Sequence, residues 1–220
     1  MSGLWYISQC PFEPMEVQER ILDTAFGLFR QYGTRSITMD DIATRMGISK
    51  KTLYAHFVDK DDMVVHAIRR FLEVIQEQER TIISKADNAI EELFEMMNMT
   101  DEKLRNMNPV IMLDLQKFHS KAFLVFQEYR NSTLHTTIRN NLERGIREGL
   151  YRKDLDVNIL TQFRIASAMV CFQPEVFPMA GYDMGKVQRV LLEHFLYGVA
   201  SAEGFRLIEK YRQQQLSLNK

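Results

Sequence analysis

The chain is poor in cysteine: Cys10 and Cys171, 161 positions apart, are the two in 220 residues. That excludes a disulfide framework, a CxxC pair and a zinc-ligand signature, and it points to a reduced, cytoplasmic compartment. Glycine and proline are also scarce, at 10 and 5 residues, so little interrupts long helices. No apolar run approaches the roughly 18–20 residues that a membrane span requires. The opening Met1-Ser2-Gly3-Leu4-Trp5-Tyr6-Ile7 lacks the basic start and long apolar stretch of an export signal. Charge of one sign is missing as well. With 28 Lys+Arg against 29 Asp+Glu and a net charge of −1, bulk coating of nucleic acid is excluded, although a local basic patch is not. Catalytic signatures are absent. The histidines His56, His66, His119, His135 and His194 show no HExxH spacing, and neither a GxSxG elbow nor a glycine-rich phosphate loop occurs. Carboxylate pairs such as Asp61-Asp62 and Glu91-Glu92 read as helix caps or solvated faces. No enzyme activity, cofactor or metal is expected.

What is present is helical patterning. Apolar residues make up 45% and charged residues 26%, the composition of a soluble globule that can bury a core. No alternating strand pattern and no internal repeat is found, so the expected fold class is all-α. Residues 1–14 stand apart, with the single Trp (Trp5) and two prolines, Pro11 and Pro14. They read as a leader arm, either a poorly ordered start or a functional segment, and the natural start could be Met15. Residues 15–60 form a compact set of short helices, and residues 61–220 a larger helical domain.

Within the first set, Ile21, Ala25, Leu28, Phe29 and Tyr32 recur with helical period, and Gly33 ends the run. Thr38-Met39-Asp40-Asp41 is a capping box in its Asp variant. It opens a short helix through Ile42, Ala43 and Met46 that Gly47 stops. Ser49 can cap a third helix, Lys50 to His56, and a fourth begins after Asp59. Two helices that cross this tightly need a small residue at Ala43 and a positive φ at Gly47. The third helix then exposes Lys50, Lys51, Thr52, Tyr54 and His56, with Lys60 at the next helix start. Asp40 and Asp41 are expected to sit away from that face. Residues 28–60 carry six Lys/Arg against three acids, a net of +3, a modest patch that a second copy would double.

Thr38 to Phe57, with its TMDDIATRMGISKKTLYAHF run, and the following Asp59-Lys60-Asp61-Asp62-Met63 resemble the DNA-binding domain of the TetR family. The helix carrying Ala25, Leu28, Phe29 and Tyr32-Gly33 resembles that family's first helix. The resemblance covers about 50 of 220 residues. It implies a ligand-responsive transcriptional regulator, a repressor that binds a palindromic operator in double-stranded DNA as a homodimer. A small, lipophilic effector would release it. It also implies that Thr38, Tyr54 and Lys60 hold phosphates, while Lys50, Lys51, Thr52 and His56, after the cap Ser49, lie in or beside the major groove. Lys51 departs from the family, which often has glycine there. Read without the family, Tyr54 could be a core tyrosine, His56 a packing or capping residue, and the lysines a solvated face.

The remaining chain is read as helices near 87–98, from Lys121 to Gly149, from Val157 to Phe172 and from Lys186 to Tyr211. A polar break from Asn98 to Asn108 leads to Pro109 at the first turn of another. Val187, Val190, Leu191, Phe195, Gly198 and Val199 could form a dimer face or simply central core. Phe94, Met97, Met112, Phe118, Phe123 and Phe126 could line an effector pocket, or be an ordinary apolar stripe. Two other readings share these residues: a helical interaction protein with a repurposed helix-turn-helix, and an activator of the same architecture.

Overall fold

The computed structural model describes residues 17–178 and 181–218, and every regular element in them is helical. The leader arm, residues 1–14, lies outside the described residues. The helices are α1 (Val17–Tyr32), α2 (Met39–Met46), α3 (Lys50–His56), α4 (Lys60–Lys85), α5 (Ala89–Leu104), α6 (Val110–Phe118) and α7 (Ser120–Tyr129). A π-helical turn, Arg130–Leu134, leads into α8 (His135–Arg147), followed by α9 (Val157–Val170), α10 (Met184–Val199) and α11 (Ala202–Leu218).

Helices α1 to α3 form a head whose elements are set by local chemistry. On α1, Ile21, Ala25 and Phe29 are four apart and fully buried, the stripe of one helix face. The helix stops at Gly33, whose φ is +80°. A Cβ there would also lie 2.8 Å from Val110 Cγ1 of α6, so conformation and room both call for glycine. The capping box of α2 is closed in both directions between Thr38 and Asp41, and Gly47 ends the helix at φ 66°. Ser49 and Asp59 cap α3 and α4 by accepting the backbone N–H of Thr52 and of Asp62.

The core of the head does not close at residue 60. Ile42, Leu53 and Phe57 pack in one cluster with Met63 and Val64, all at most 1% exposed. Each such burial is worth about 1.5–3 kcal/mol. The first turns of α4 are therefore part of the head, and the 26 residues of this helix, about 39 Å long, run on into the body.

The body holds a second core of Ile90, Phe94, Met97, Leu142, Tyr151, Leu196 and Ile208. A buried polar network stitches its helices. Asn141 Nδ2 donates to Ala89 O and Glu92 Oε1, the Tyr151 hydroxyl donates to Asn141 Oδ1 and Ala89 O, and Arg144 pairs with Glu92 at 3.0 Å and Glu148 at 2.7 Å.

Three boundaries differ from the sequence expectations. Helix α5 runs to Leu104, through the start of the expected polar break. The long helix from Lys121 to Gly149 is interrupted by the π-turn at Arg130–Leu134. The last helix is divided at Ala200 and Ser201. There Ala200 makes one antiparallel bridge with Tyr151, and Ser201 donates its N–H to Leu150 O and its hydroxyl to Gly149 O.

Candidate nucleic-acid interface

Helix α3 has seven residues, and Leu53 is its one fully buried side chain. With Leu53 inward, Lys50, Lys51, Tyr54 and His56 are exposed and Thr52 is half-buried. Tyr54 is 51% exposed, so it is not the core tyrosine that one reading allowed. Ser49 and Thr52 are engaged with each other: Thr52 N donates to Ser49 Oγ at 3.0 Å, and the two hydroxyls are 2.8 Å apart.

The acids are closer to this face than their helix positions suggest. Asp40 does not point away. Its carboxylate lies 2.5 Å from Lys50 Nζ, because the crossing of α2 over α3 brings the start of one helix beside the start of the other. The hydrogen bond that Lys50 donates to Asp40, then the charge of Asp40, holds the Lys50 ammonium above its usual pKa. Thr38 is likewise occupied, donating its hydroxyl at 2.6 Å and its backbone N–H at 2.8 Å to Asp41 Oδ2. Those two bonds hold the Asp41 carboxyl below the usual range. Lys60, at the first turn of α4, is half-buried; desolvation pulls its pKa down against the opposing charges of Asp114 and Asp61.

Helix α6 carries the contacts between head and body that sequence patterning missed. Buried Asp114 accepts from the Thr34 hydroxyl at 3.1 Å and from Arg35 N at 3.2 Å. The Arg35 guanidinium sits 4.5 Å over the Phe118 ring. Buried His119 meets Asp61 at 2.6 Å, and Asn108 N donates to Arg30 O. These pairs are 58 to 83 positions apart, beyond any local signal.

The expected pocket residues separate. Phe94 and Met97 are buried in the second core, and Phe118 is 47% exposed under Arg35, so these three do not line a cavity together. Met112, Phe123 and Phe126 do meet, in an open cleft of about 350 Å³ that Met169 and Phe172 line with the polar Gln116, Arg130, Gln173 and Glu175. The expected dimer residues also separate. Val187, Phe195 and Val199 are buried within the subunit. Val190 and Gly198 are exposed, and Leu191 is half-buried. Other exposed apolar side chains are Ile159 and Phe163 on α9, 65% and 54% exposed.

The family model for bacterial regulatory proteins of the tetR family matches residues 21–67. The repressor KstR2 of Mycobacterium tuberculosis is 30% identical over 146 residues, which span 65% of this chain and 73% of KstR2. The chain belongs to the TetR family. It is a DNA-binding regulator of transcription. The solved structure of the M. tuberculosis ketosteroid regulator KstR2 matches 86% of this chain and 97% of its own at 27% identity, with a TM-score of 0.61. An uncharacterized helix-turn-helix regulator of Bacillus subtilis, YvaF, is 23% identical over 188 residues, 85% of this chain and 97% of that one. The fatty acid degradation regulator FadR of Bacillus halodurans shares the fold, with a TM-score of 0.65 at 18% identity over 83% of this chain and 96% of its own. The TetR-family match reaches past residue 60 to include Met63, Val64 and Ala67, the same α4 residues that complete the core of the head. The family and these relatives are regulators rather than enzymes, and among the described residues no helix is long and apolar enough to cross a membrane.

Proposed function

We propose that the protein is a repressor that binds a palindromic operator as a homodimer and is released by a small apolar effector. The observation that carries this reading is the orientation of α3. Its one anchor, Leu53, points inward while Lys50, Lys51, Tyr54 and His56 project outward from the head. Lysine can donate to guanine O6 and N7 in the major groove, and tyrosine and Lys60 can hold phosphates that set the register. Thr38 and Ser49 serve the interface by fixing the starts of α2 and α3.

One recognition helix reads too few base pairs, so the motif is ordinarily used twice with two-fold symmetry. The exposed Ile159, Phe163 and Val190 on α9 and α10 support the homodimer, since an apolar patch on a soluble protein is commonly a contact surface. The Met112–Phe123–Phe126 cleft supports an apolar effector, and the name of the ketosteroid regulator KstR2 is in keeping with one. The reading is tested by a gel shift with the DNA upstream of the protein's own gene. Lys50→Ala with Lys51→Ala should weaken specific binding about 100-fold or more, at about 1–3 kcal/mol per base contact. Unchanged binding by the double variant sinks the assignment of this face.

A further inference from the structure

The helices that build the head open on acids, with one exception. Glu19 stands in the first turn of α1, Asp40 and Asp41 in that of α2, and Asp61 and Asp62 in that of α4. Negative charge there suits the positive end of the helix dipole. The first turn of α3 has no acid and begins with Lys50 and Lys51. Two cations at that end work against the helix they start. Natural proteins break such local rules mainly at functional sites.

The two lysines differ in what offsets this. At about 100° per residue, the residues of α3 can be placed around its axis relative to Leu53, the buried anchor. Lys50 falls about 60° from Leu53 and Tyr54 about 100°, on one flank. On that flank Asp40 of α2 meets the Lys50 ammonium at 2.5 Å. Thr52 and His56 fall about 100° and 60° away on the opposite flank. Lys51 and Ala55 each fall about 160° from Leu53, one to either side, and together they make the crest. Both are exposed. Among the described residues no ion pair or hydrogen bond holds Lys51. The short side chain of Ala55, one turn further on, lets the crest come close to its partner while the lysine stem reaches beyond it.

We propose that Lys51 determines operator sequence by donating to O6 and N7 of one guanine in each half-site, and that Lys50 serves the phosphates. This deepens the regulator reading and rests on it. A helix in the major groove turns its crest to the base edges and its flanks to the phosphate walls. An ammonium has three donors and no acceptor. Guanine offers it two acceptors, whereas adenine sets a donor beside its one, and cytosine presents a donor. Lys50, on a flank and shared with Asp40, is placed for the backbone, which carries no sequence information.

The probe is a pool of duplexes randomised over about 20 base pairs, enough for two half-sites one helical turn apart. The full chain selects from it, and the bound fraction is sequenced. The wild type should enrich a two-fold symmetric motif with a guanine in each half-site. In gel shifts, replacing that guanine pair by adenine should weaken wild-type binding at least about fivefold. Lys51→Ala should bind the two duplexes within about twofold of each other, and Lys51→Arg should keep the preference, since a guanidinium pairs with the same two acceptors. Lys50→Ala should keep the motif and bind every duplex more weakly, with a salt slope shallower by about 1 per subunit. Lys51→Ala should also hold or raise Tm, because it removes a cation from the start of α3. A guanine preference that survives Lys51→Ala, or one lost with Lys50→Ala instead, overturns the assignment and leaves the regulator reading standing. So does a motif without guanine, or a lower Tm in Lys51→Ala, which would make the lysine a support of the head. A wild-type pool with no enriched motif sinks the regulator reading together with the assignment.

Discussion

The head and the body of this regulator are held together by different kinds of contact. In the head, the polar bonds that shape the helices span three residues: Thr38 with Asp41, Ser49 with Thr52, Asp59 with Asp62. In the body they span 52 residues between Asn141 and Ala89 and 62 between Tyr151 and Ala89. Local bonds define an element wherever the chain happens to be. Long-range bonds define which elements meet, and they form only when the whole assembly closes. The lesson is that the shapes of the head's short helices are set locally, whereas the arrangement of the body's helices is set by contacts between distant parts of the chain.

Substitutions can break that contrast in order of size. Asn141→Ala removes the centre of the buried network, leaving Glu92 and the Tyr151 hydroxyl each short of a partner. It should cost about 2–4 kcal/mol of unfolding free energy in a urea titration. Operator affinity per folded molecule should stay unchanged; a selective loss of DNA binding would mean that the network serves the head directly. Thr38→Ala removes a cap and should cost about 1 kcal/mol, read from the same titration. Here the operator affinity should fall as well, because α2 supports α3. The smallest effect is expected at Asp40→Asn, which releases Lys50 from its exposed ion pair. Operator affinity should rise by no more than about fivefold, as surface pairs are worth about 0–1 kcal/mol. The salt dependence should also steepen from the slope of about −5 to −7 expected for roughly 6–8 phosphate contacts in a dimer. A weaker or unchanged affinity would show that Lys50 does not face the duplex.

The same contrast explains what was legible beforehand. The all-helical class and the caps at Thr38, Ser49 and Asp59 could be read directly, because each signal sits within three or four residues. So could the stops at Gly33 and Gly47, where the chain turns through positive φ. Asp40 escaped, since its partner Lys50 lies on another helix and the meeting depends on a crossing angle. The π-turn at Arg130–Leu134 has no glycine or proline to mark it. The break at Ser201 rests on bonds to Leu150 and Gly149, some 50 residues earlier. Pocket and core residues could not be separated by type, because Phe94 and Phe123 are equally apolar and differ only in what packs against them. Arg164, only 8% exposed on α9, was passed over for the opposite reason: arginine is ordinarily exposed, and nothing in its neighbours along the chain announces burial.

The uninterrupted run of α4 from the head into the body makes it a lever. A tilt of about 5° over its length of about 39 Å carries its far end through about 3 Å. That is close to the rise of about 3.4 Å between successive bases along one strand. In the proposed two-fold assembly, two such levers swinging apart would put the recognition helices out of step with consecutive major grooves by more than a base pair, so a small adjustment in the body would suffice to lose the operator.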